Sequence, residues 1–350
     1  MNDNHSLPFI TIVMPVYNEG RFIEQTLRQL LAQEYPANRF EILVVDGLST
    51  DATRHIVEKL SKEYPHIRLL DNPKRKSSAG RNIGFKQGKG DYFLVVDGHC
   101  FIPDTKLLSN VVDCFAKSGA DCLGRPQPLD PHGLTSFQQA VALARGSRLG
   151  HGGDSLIYGE YEGLSSPVSN GAAYARHVFE KVGYVDEEFD ACEDVEFNYR
   201  VEQAGLTCYT SPKLTIRYYP REDLHGLFRQ MIRYGEGRFR FIRKHREALT
   251  INQLVPAGFV IGMLLLLLSM VTWQFGNWVT SAIGSLYSIY LFTIIFESCQ
   301  IAARHGWKYF RYLPGIFLIV HFGLGWGFLS QLYVTSVGRM LIRSLKMKSA

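Results

Sequence analysis

The sequence lacks zinc-type cysteine motifs, a signal peptide and a dinucleotide glycine pattern. Its six cysteines form no C-x-x-C pair and no Cys/His spacing that would close a zinc site, which is typical of reduced cytosolic thiols. Residues 1–8 are polar and contain no apolar core, so no secretory signal peptide is expected. No G-x-G-x-x-G follows the first predicted strand, which disfavours a membrane oxidoreductase.

Charge is missing from two long stretches near the carboxyl end. Leu254 to Phe296 is a run of 43 residues without Asp, Glu, Lys or Arg, and Leu313 to Gly338 is a run of 26 more. Gaps of this length in a chain that is 20% charged exclude a wholly soluble protein. Residues 254–350 hold 7 Lys/Arg and 1 Asp/Glu, a net charge of +6, against −1 for residues 1–253. The positive charge therefore flanks apolar spans, and no nucleic-acid partner is expected.

Four consecutive strand–helix patterns occupy the first part of the chain. The strand patterns are nearly continuous in apolar residues and cover residues 9–16, 41–46, 67–71 and 91–97. The helix patterns cover residues 21–33, 51–64, 79–87 and 104–117. This alternation predicts an α/β domain with a mainly parallel sheet that is covered on both faces and binds ligands at the carboxyl ends of its strands.

The rest of the chain predicts a loop, an interface region and a membrane region. The Gly-rich stretch Arg145–Asp154 predicts an irregular substrate loop. Residues 221–247 carry eight Lys/Arg and four Asp/Glu with interleaved aromatics, a composition typical of amphipathic helices on a membrane face. The predicted domains are a cytoplasmic catalytic domain at 1–220, basic interface helices at 221–253 and a membrane domain at 254–350. Its spans are expected at about 254–273, 278–296 and 313–337.

The charges around the spans predict a multi-pass topology. Cations at 238–246 and at 304–311 flank the first two spans and place both flanks in the cytoplasm. The tail at 339–348 is also basic, so a full third crossing would break the positive-inside rule. Because Gly315 to Gly327 contains four glycines, we expect the third segment to bend and pack against the hairpin, with its tail near the cytoplasmic surface. A plain third crossing is the alternative.

Polar residues follow three of the predicted strands. Pro15 to Glu19 ends the first, Asp46 to Asp51 ends the second and Asp97 to His99 ends the fourth. One Asp-Gly at a strand end is usually an ordinary turn. Three acidic strand ends at one sheet edge, with Arg81 at a helix start, instead predict a pocket that holds a metal-binding carboxylate and a phosphate-binding cation.

Four motifs in order extend the pattern over more than half of the chain: PVYNEG, VVDGLSTDAT, SSAGRNIGFKQGKGDYFLVVDGH and SNGAAYARHVFEKVGYVDEEFDACEDVEFNYRVEQAG. Together they resemble the family 2 inverting glycosyltransferases of the GT-A fold, and within them the succinoglycan-type glucosyltransferases of bacterial exopolysaccharide assembly. The resemblance implies a Rossmann-like catalytic domain followed by interface and transmembrane helices. It also implies transfer of one sugar from a nucleotide diphosphate sugar, with UDP-glucose the first candidate for the donor. The acceptor would be linked to a polyprenyl phosphate or diphosphate at the cytoplasmic (inner) membrane.

The resemblance implies roles for individual residues at the donor. The nucleotide pocket would be lined by Pro15, Tyr17, Glu19, Asp46, Asp51, Arg81 and Asp97. Asp46 would bond the uracil or ribose, and Arg81 would meet the diphosphate unless it is a solvated helix-start cation. Asp97 and His99 would bind a divalent cation, with a structural histidine as the alternative. His99 stands where the family usually has a carboxylate, and imidazole suits Mn²⁺ better than Mg²⁺. Both Mn²⁺ and Mg²⁺ are therefore candidates for the bound ion.

The acceptor side has its own expected residues. Asp194 would be the general base and Glu193 would orient it, although an acidic pair at a helix start is also ordinary capping. Gln230, Arg233 and Tyr234 resemble the Gln-x-x-Arg-Trp motif of processive synthases and would contact the acceptor and diphosphate; a basic membrane-surface helix is the alternative. Tyrosine in place of tryptophan, and spans too few for a polymer channel, favour transfer of a single sugar.

Two other functions stay open at this point. A polyprenyl-monophosphate sugar transferase would differ only in an acceptor that carries no sugar. A catalytically silent membrane scaffold would need the same fold without the chemistry, and the presence of Asp97, Glu193 and Asp194 disfavours it. The sequence specifies no oligomeric state.

Overall fold

The computed structural model describes residues 7–151, 156–168, 170–272 and 277–348. The chain divides into two compact units: unit 1 is Met1–Gly133 with Asp154–Tyr219, and unit 2 is Leu134–Gly153 with Pro220–Ala350. The domain boundaries drawn from the sequence stay predictions. The division differs from them by assigning the segment Leu134–Gly153 to the unit of the C-terminal helices.

The strands, all in unit 1, are β1 (Ile10–Val16), β2 (Phe40–Asp46), β3 (Ile67–Asp71), β4 (Tyr92–Val95), β5 (Cys100–Phe101), β6 (Cys122–Gly124), β7 (Gly163–Ser165), β8 (Gly171–Ala175), β9 (Cys208–Thr210) and β10 (Arg217–Tyr218). The helices of unit 1 and unit 2 together are α1 (Ile23–Leu31), α2 (Thr53–Glu63), α3 (Ser77–Gln87), α4 (Leu107–Ser118), α5 (Ser136–Gly146), α6 (Arg148–His151), α7 (Arg176–Val182), α8 (Glu193–Gln203), α9 (Leu224–Lys244), α10 (Ile251–Thr272), α11 (Asn277–His305) and α12 (Leu313–Lys348). The four predicted strand–helix units are confirmed, with helix ends that differ by a few residues.

Unit 1 is built on a mixed, mostly parallel sheet. Its described strands have the order β3-β2-β1-β4-β8-β6-β9-β7, and β1 pairs in parallel with both β2 and β4. Strand β8 runs antiparallel to β4 and β6. Strands β2 and β3 follow on one side of β1, and the chain then returns to place β4 on the other side of β1. The topological switch point, where such sheets bind ligands, therefore lies between β1 and β4.

The sheet is buried on both faces, as its apolar strands predict. On β1, Ile10, Ile12 and Met14 enter one core cluster, whereas Val13 enters a second cluster with Phe93 on the opposite face. Alternate residues of a strand point to opposite faces, so this division follows from the strand period of two. The rigid, two-sided core fixes where the strand ends lie.

The expectation of an irregular loop at Arg145–Asp154 is wrong for the residues that the structure describes. The segment forms the end of α5 and the short helix α6, and residues 152–154 lie outside the described residues. Helix α5 begins with a capping box, in which the Thr135 side chain accepts from the Gln138 N–H and the Gln138 side chain accepts from the Thr135 N–H. Of the glycines that suggested a loop, Gly146 is therefore the last residue of α5 and Gly150 lies within α6.

Among its described residues, unit 2 has three helices that are long and apolar enough to cross a membrane: Ile251–Ser269, Thr280–His305 and Leu313–Ser336. The first two expose large apolar side chains along their length, among them Leu264, Leu268 and Phe292. The third is more buried within the unit. Exposed apolar faces on α10 and α11 fit a lipid-facing hairpin.

Helix α12 is continuous, so its glycines do not bend the chain back as expected. They are instead positions of close helix packing. A Cβ at Gly325 would lie 2.0 Å from the Pro256 carbonyl oxygen of α10, and one at Gly327 would lie 2.1 Å from the Ile232 oxygen of α9. Further along, the Phe239 ring of α9 packs edge-on against a ring of α12. Whether α12 crosses the bilayer fully stays a prediction.

Candidate active site

Two loops at the carboxyl ends of β1 and β2 are held together by side-chain hydrogen bonds. The Asn18 N–H donates to Ser49 Oγ at 2.8 Å, and the Glu19 N–H donates to Thr53 Oγ1 at 2.8 Å. Asn18 has a φ of 55°, and Leu48, a residue type rarely found there, has a φ of 61°. Such conformations cost about 1–3 kcal/mol each and cluster at functional sites.

The two acidic residues of the second loop brace these loops. The buried Asp46 carboxylate accepts from the Ser49 N–H at 3.1 Å and from Arg54 Nη1 at 2.8 Å. Asp51 accepts from the Thr53 N–H at 3.0 Å and from its hydroxyl at 2.6 Å. Burial acts to raise the pKa of Asp51, but hydrogen bonds, led by those from Thr53, outweigh it, and the pKa lies below its usual value. Nucleotide contacts of Asp46 and Asp51 stay predictions.

Tyr17 and Pro15 lie at the same sheet edge. The Tyr17 side chain is about half exposed, and its ring lies against Gly47, where a Cβ would come 3.3 Å from Cδ2. Pro15 lies against Gly80 of α3, where a Cβ would come 3.1 Å from the proline Cβ. An exposed aromatic ring beside the loops offers a flat surface on which a nucleobase can stack.

His99 and Glu19 form a contact between the end of β4 and the loop after β1. His99 Nδ1 lies 2.8 Å from Glu19 Oε1, and Gly98 lets the two chain segments approach closely. A carboxylate at Nδ1 favours the tautomer with the proton on that nitrogen, so the lone pair of the ring is on Nε2. Glu19 thus contacts His99 directly, in addition to its predicted place in the nucleotide pocket.

A divalent cation is implied by the resemblance, and the donor set at this point fits one. The described residues contain no group of three or more His, Cys, Asp or Glu side chains that could hold a metal alone. Asp97 and His99 are two residues apart on one loop and offer a carboxylate and an imidazole. Mg²⁺ and similar ions are often held by one or two protein ligands with the rest from substrate phosphates and water, so two protein ligands suffice for a cation that arrives with a diphosphate.

Arg81 is the central cation of the site. Its guanidinium is nearly buried, and Nη2 lies 3.3 Å from Glu193 Oε1. Burial acts to lower the pKa of Arg81, but the charges of Glu193, Asp194 and Asp97 outweigh it and raise the pKa further above its usual value. Burial raises the pKa of Glu193, against the opposing effect of Arg81. Arg81 therefore forms an ion pair with the residue that precedes Asp194, the expected base.

The pair Glu193–Asp194 is presented by the start of α8. Cys192, at the N-cap, has a left-handed backbone with φ of 60° and ψ of 23°, which turns the chain sharply into the helix. Glu193 is buried, whereas Asp194 is partly exposed and accepts from the Val195 N–H at 2.8 Å. The buried residue pairs with Arg81, and the accessible carboxylate is the one able to meet an acceptor hydroxyl.

The predicted acceptor residues lie on α9 in unit 2. Gln230 Nε2 donates to the Tyr234 hydroxyl at 3.2 Å, and both Arg233 and the Tyr234 ring are solvent-accessible. The Arg145 guanidinium of α5, which sequence reasoning did not single out, lies 6.0 Å from the centre of the Tyr234 ring. Their roles toward an acceptor stay predictions.

Three further residues at the site escaped sequence reasoning. Arg54 bridges Asp46 and Asp71, and Arg125 and Tyr218 lie beside the Asp97–His99 loop. None belongs to a motif that gives a spacing signal. They are recognisable only from the fold.

Comparison with known proteins defines the class. The family Glycosyl transferase family 2 matches residues 11–183. The succinoglycan biosynthesis protein ExoA of Rhizobium meliloti (strain 1021) is 34% identical over 285 residues, which cover 78% of this chain and 83% of the relative. A dolichyl N-acetyl-alpha-D-glucosaminyl phosphate 3-beta-D-2,3-diacetamido-2,3-dideoxy-beta-D-glucuronosyltransferase of Methanococcus voltae is 26% identical over 331 residues, covering 93% and 97%.

A solved structure shows the same fold. The mannosyltransferase PcManGT from Pyrobaculum calidifontis, in complex with GDP-Man and Mn²⁺, superposes with a TM-score of 0.59 at 16% identity, covering 91% of this chain and 87% of that one. The chain belongs to glycosyl transferase family 2 and has the GT-A fold. It is a glycosyltransferase of polysaccharide or glycan biosynthesis, and the part of the chain that the structure describes has three helices long and apolar enough to cross a membrane.

Proposed function

We propose that this chain is an inverting, metal-dependent transferase that moves one sugar from a nucleotide diphosphate sugar to a lipid-linked acceptor. The observation that supports it most is the ion pair of Arg81 with Glu193, next to Asp194, together with the position of Asp97 just after β4 at the β1–β4 switch point. A UDP-sugar is the expected donor, with UDP-glucose the first candidate from the resemblance to succinoglycan-type enzymes. The name of the Methanococcus voltae relative, which includes a dolichyl-linked sugar phosphate, supports a lipid-linked acceptor.

The proposed chemistry is one in-line displacement at the anomeric carbon. Asp194 takes the proton of the acceptor hydroxyl as that oxygen attacks, and the bond to the donor diphosphate breaks on the opposite side. Glu193 does not compete for the proton, because its carboxylate is buried and paired with Arg81. One displacement inverts the anomeric configuration, so an α-linked donor gives a β-glycoside.

Asp97 and His99 are the residues that would hold the divalent cation. Bound there with the donor, the cation would neutralise the charge that develops on the departing nucleoside diphosphate. Glu19 holds the His99 ring through Nδ1 and so fixes the nitrogen that faces away from it. Tyr17 and Pro15 line the loops on which the nucleoside part of the donor would lie.

The membrane part is proposed to bring the acceptor to the enzyme. The hairpin of α10 and α11 would cross the cytoplasmic membrane, with the catalytic domain at 1–220 in the cytoplasm and the basic region at 221–253 at the interface. Gln230, Arg233 and Tyr234 would contact the phosphate and sugar of a polyprenyl-linked acceptor. Transfer of a labelled sugar from a nucleotide donor into a lipid-extractable product tests this proposal.

The histidine at the metal position gives a first testable consequence. His99→Asp should leave a working enzyme whose preference moves from Mn²⁺ toward Mg²⁺, because it replaces an imidazole by the harder oxygen ligand that Mg²⁺ favours. The ratio of transfer rates in the two ions measures the change. His177→Asp, at an exposed histidine paired with Asp121, is the control and should leave the ratio unchanged. An unaltered ratio in His99→Asp would assign His99 a structural role.

A further inference from the structure

A buried arginine lies behind the Asp97–His99 loop. Arg125 follows β6 and is almost fully buried. Its Nη1 donates to the Val95 carbonyl at 2.7 Å, and its Nη2 donates to the Tyr218 hydroxyl at 2.8 Å. Among the residues that the structure describes, no Asp or Glu lies within ion-pair distance of it, although a buried charge normally requires a partner. Its placement therefore calls for a reason beyond packing.

Tyr218 connects this arginine to the metal loop. It lies on β10, which pairs antiparallel with β5 and sets Tyr218 opposite Cys100. Its ring meets the His99 ring edge-on, with centroids 6.1 Å apart and planes at 83°. Burial raises the pKa of the Tyr218 hydroxyl; Arg125 opposes this, and the neighbouring Asp97 carboxylate adds to it. One buried side chain thus lies against His99 and against the residue that follows it.

The direction of the hydrogen bonds follows from the donors available. Arg125 has only donors, so it occupies a lone pair of the Tyr218 oxygen. The single Tyr218 hydroxyl proton is then left for a different acceptor. Successive hydrogen bonds polarise one another, so the bond from the Arg125 guanidinium strengthens the hydrogen bond that the Tyr218 hydroxyl donates.

We propose that Arg125 and Tyr218 are positioning residues that hold the Asp97 carboxylate and the His99 ring in place for the divalent cation of the donor diphosphate. The inference rests on the proposed function. Tyr218 fixes one carboxylate oxygen and leaves the other for the ion, while its ring limits rotation of the imidazole. Arg125 would supply positive charge behind the Asp97 carboxylate when no cation is bound.

Direct Mn²⁺ binding tests the inference without measuring activity. The purified full-length chain in detergent is titrated with Mn²⁺ in the presence of UDP, and the free ion is followed by electron paramagnetic resonance. Tyr218→Phe removes only the hydroxyl and should weaken Mn²⁺ binding by about 10–100-fold, the usual effect of removing an outer-shell partner. Tyr35→Phe is the matched control, because its buried hydroxyl donates to the Pro8 carbonyl at 2.5 Å, apart from the proposed cation site. It should bind Mn²⁺ like the parent chain.

A second readout separates positioning from folding. Raising the Mn²⁺ concentration should restore most of the turnover of Tyr218→Phe, whereas damage to the fold would not respond to the ion. Arg125→Lys, which keeps the charge, should bind Mn²⁺ more tightly than Arg125→Gln. Parent-like Mn²⁺ affinity in Tyr218→Phe overturns the inference while the proposed function stands. Absence of Mn²⁺ binding and of sugar transfer in the parent chain overturns both.

Discussion

Asp194→Asn is expected to lower the turnover number by about two to four orders of magnitude, the scale of a lost general base. Asparagine has the same shape and can still accept from the Val195 N–H, so α8 should keep its start. Arg81 keeps Glu193 as its partner, so the donor side should be intact. Donor and Mn²⁺ binding should therefore change little, and the loss should fall on the chemical step. Single-turnover rates with saturating donor measure it.

Glu202→Gln is the matched control for this variant. It makes the same kind of change at the other end of α8, at a residue without an assigned role in the transfer. Its turnover should stay within about threefold of the parent value, since no transition-state contact is removed. Comparable rates for Asp194→Asn and Glu202→Gln would show that the base lies elsewhere.

Gly325→Ala is expected to have the largest effect on stability. The added methyl would lie 2.0 Å from the Pro256 carbonyl oxygen and 2.7 Å from Val260 Cγ2, so α10 and α12 must separate. Overpacking of this kind costs about 1–3 kcal/mol and occasionally more, and backbone atoms cannot rotate out of the way as a side chain can. The midpoint of thermal unfolding in detergent should fall. Cysteines that unfolding exposes should react with a thiol reagent at a lower temperature than in the parent chain.

Gly315→Ala is the control on the same helix. Apart from its chain neighbours and the backbone of its own helix, no atom of the described residues lies within 4 Å of a Cβ at that position, and alanine favours a helix over glycine by about 0.5–1 kcal/mol. The same chemical change should thus raise stability at Gly315 and lower it at Gly325. An equal response at both positions would contradict the close packing of α10 on α12.

The strand ends of the active site could be predicted because they depend on local order. Apolar strand runs followed by acidic residues place Asp46 and Asp97 at the carboxyl edge of any parallel sheet. The pairing of Arg81 with Glu193 could not be predicted, since it joins α3 to α8 across a long stretch of sequence. Arg125 and Tyr218 were missed for the same reason.

The errors came from interpreting glycine locally. In α12 glycine suggested a bend, but the helix is continuous and the missing side chains admit α9 and α10. Near Arg145 glycine suggested a loop, although Thr135 and Gln138 carried a capping-box pattern that signals a helix start. Packing decided the first case, and a capping signal that was present in the sequence decided the second.

The most direct test is transfer of sugar to lipid by the purified full-length chain. The protein is incubated with Mn²⁺, a panel of labelled UDP- and GDP-sugars and polyprenyl acceptors that carry a phosphate alone or a phosphate-linked sugar. We expect one donor to label a lipid-extractable product that is heavier by a single sugar. The new linkage should have the opposite anomeric configuration, and Asp194→Asn should make almost none of this product. Label that stays water-soluble with every donor and acceptor, or a product with retained configuration, would contradict the proposed function.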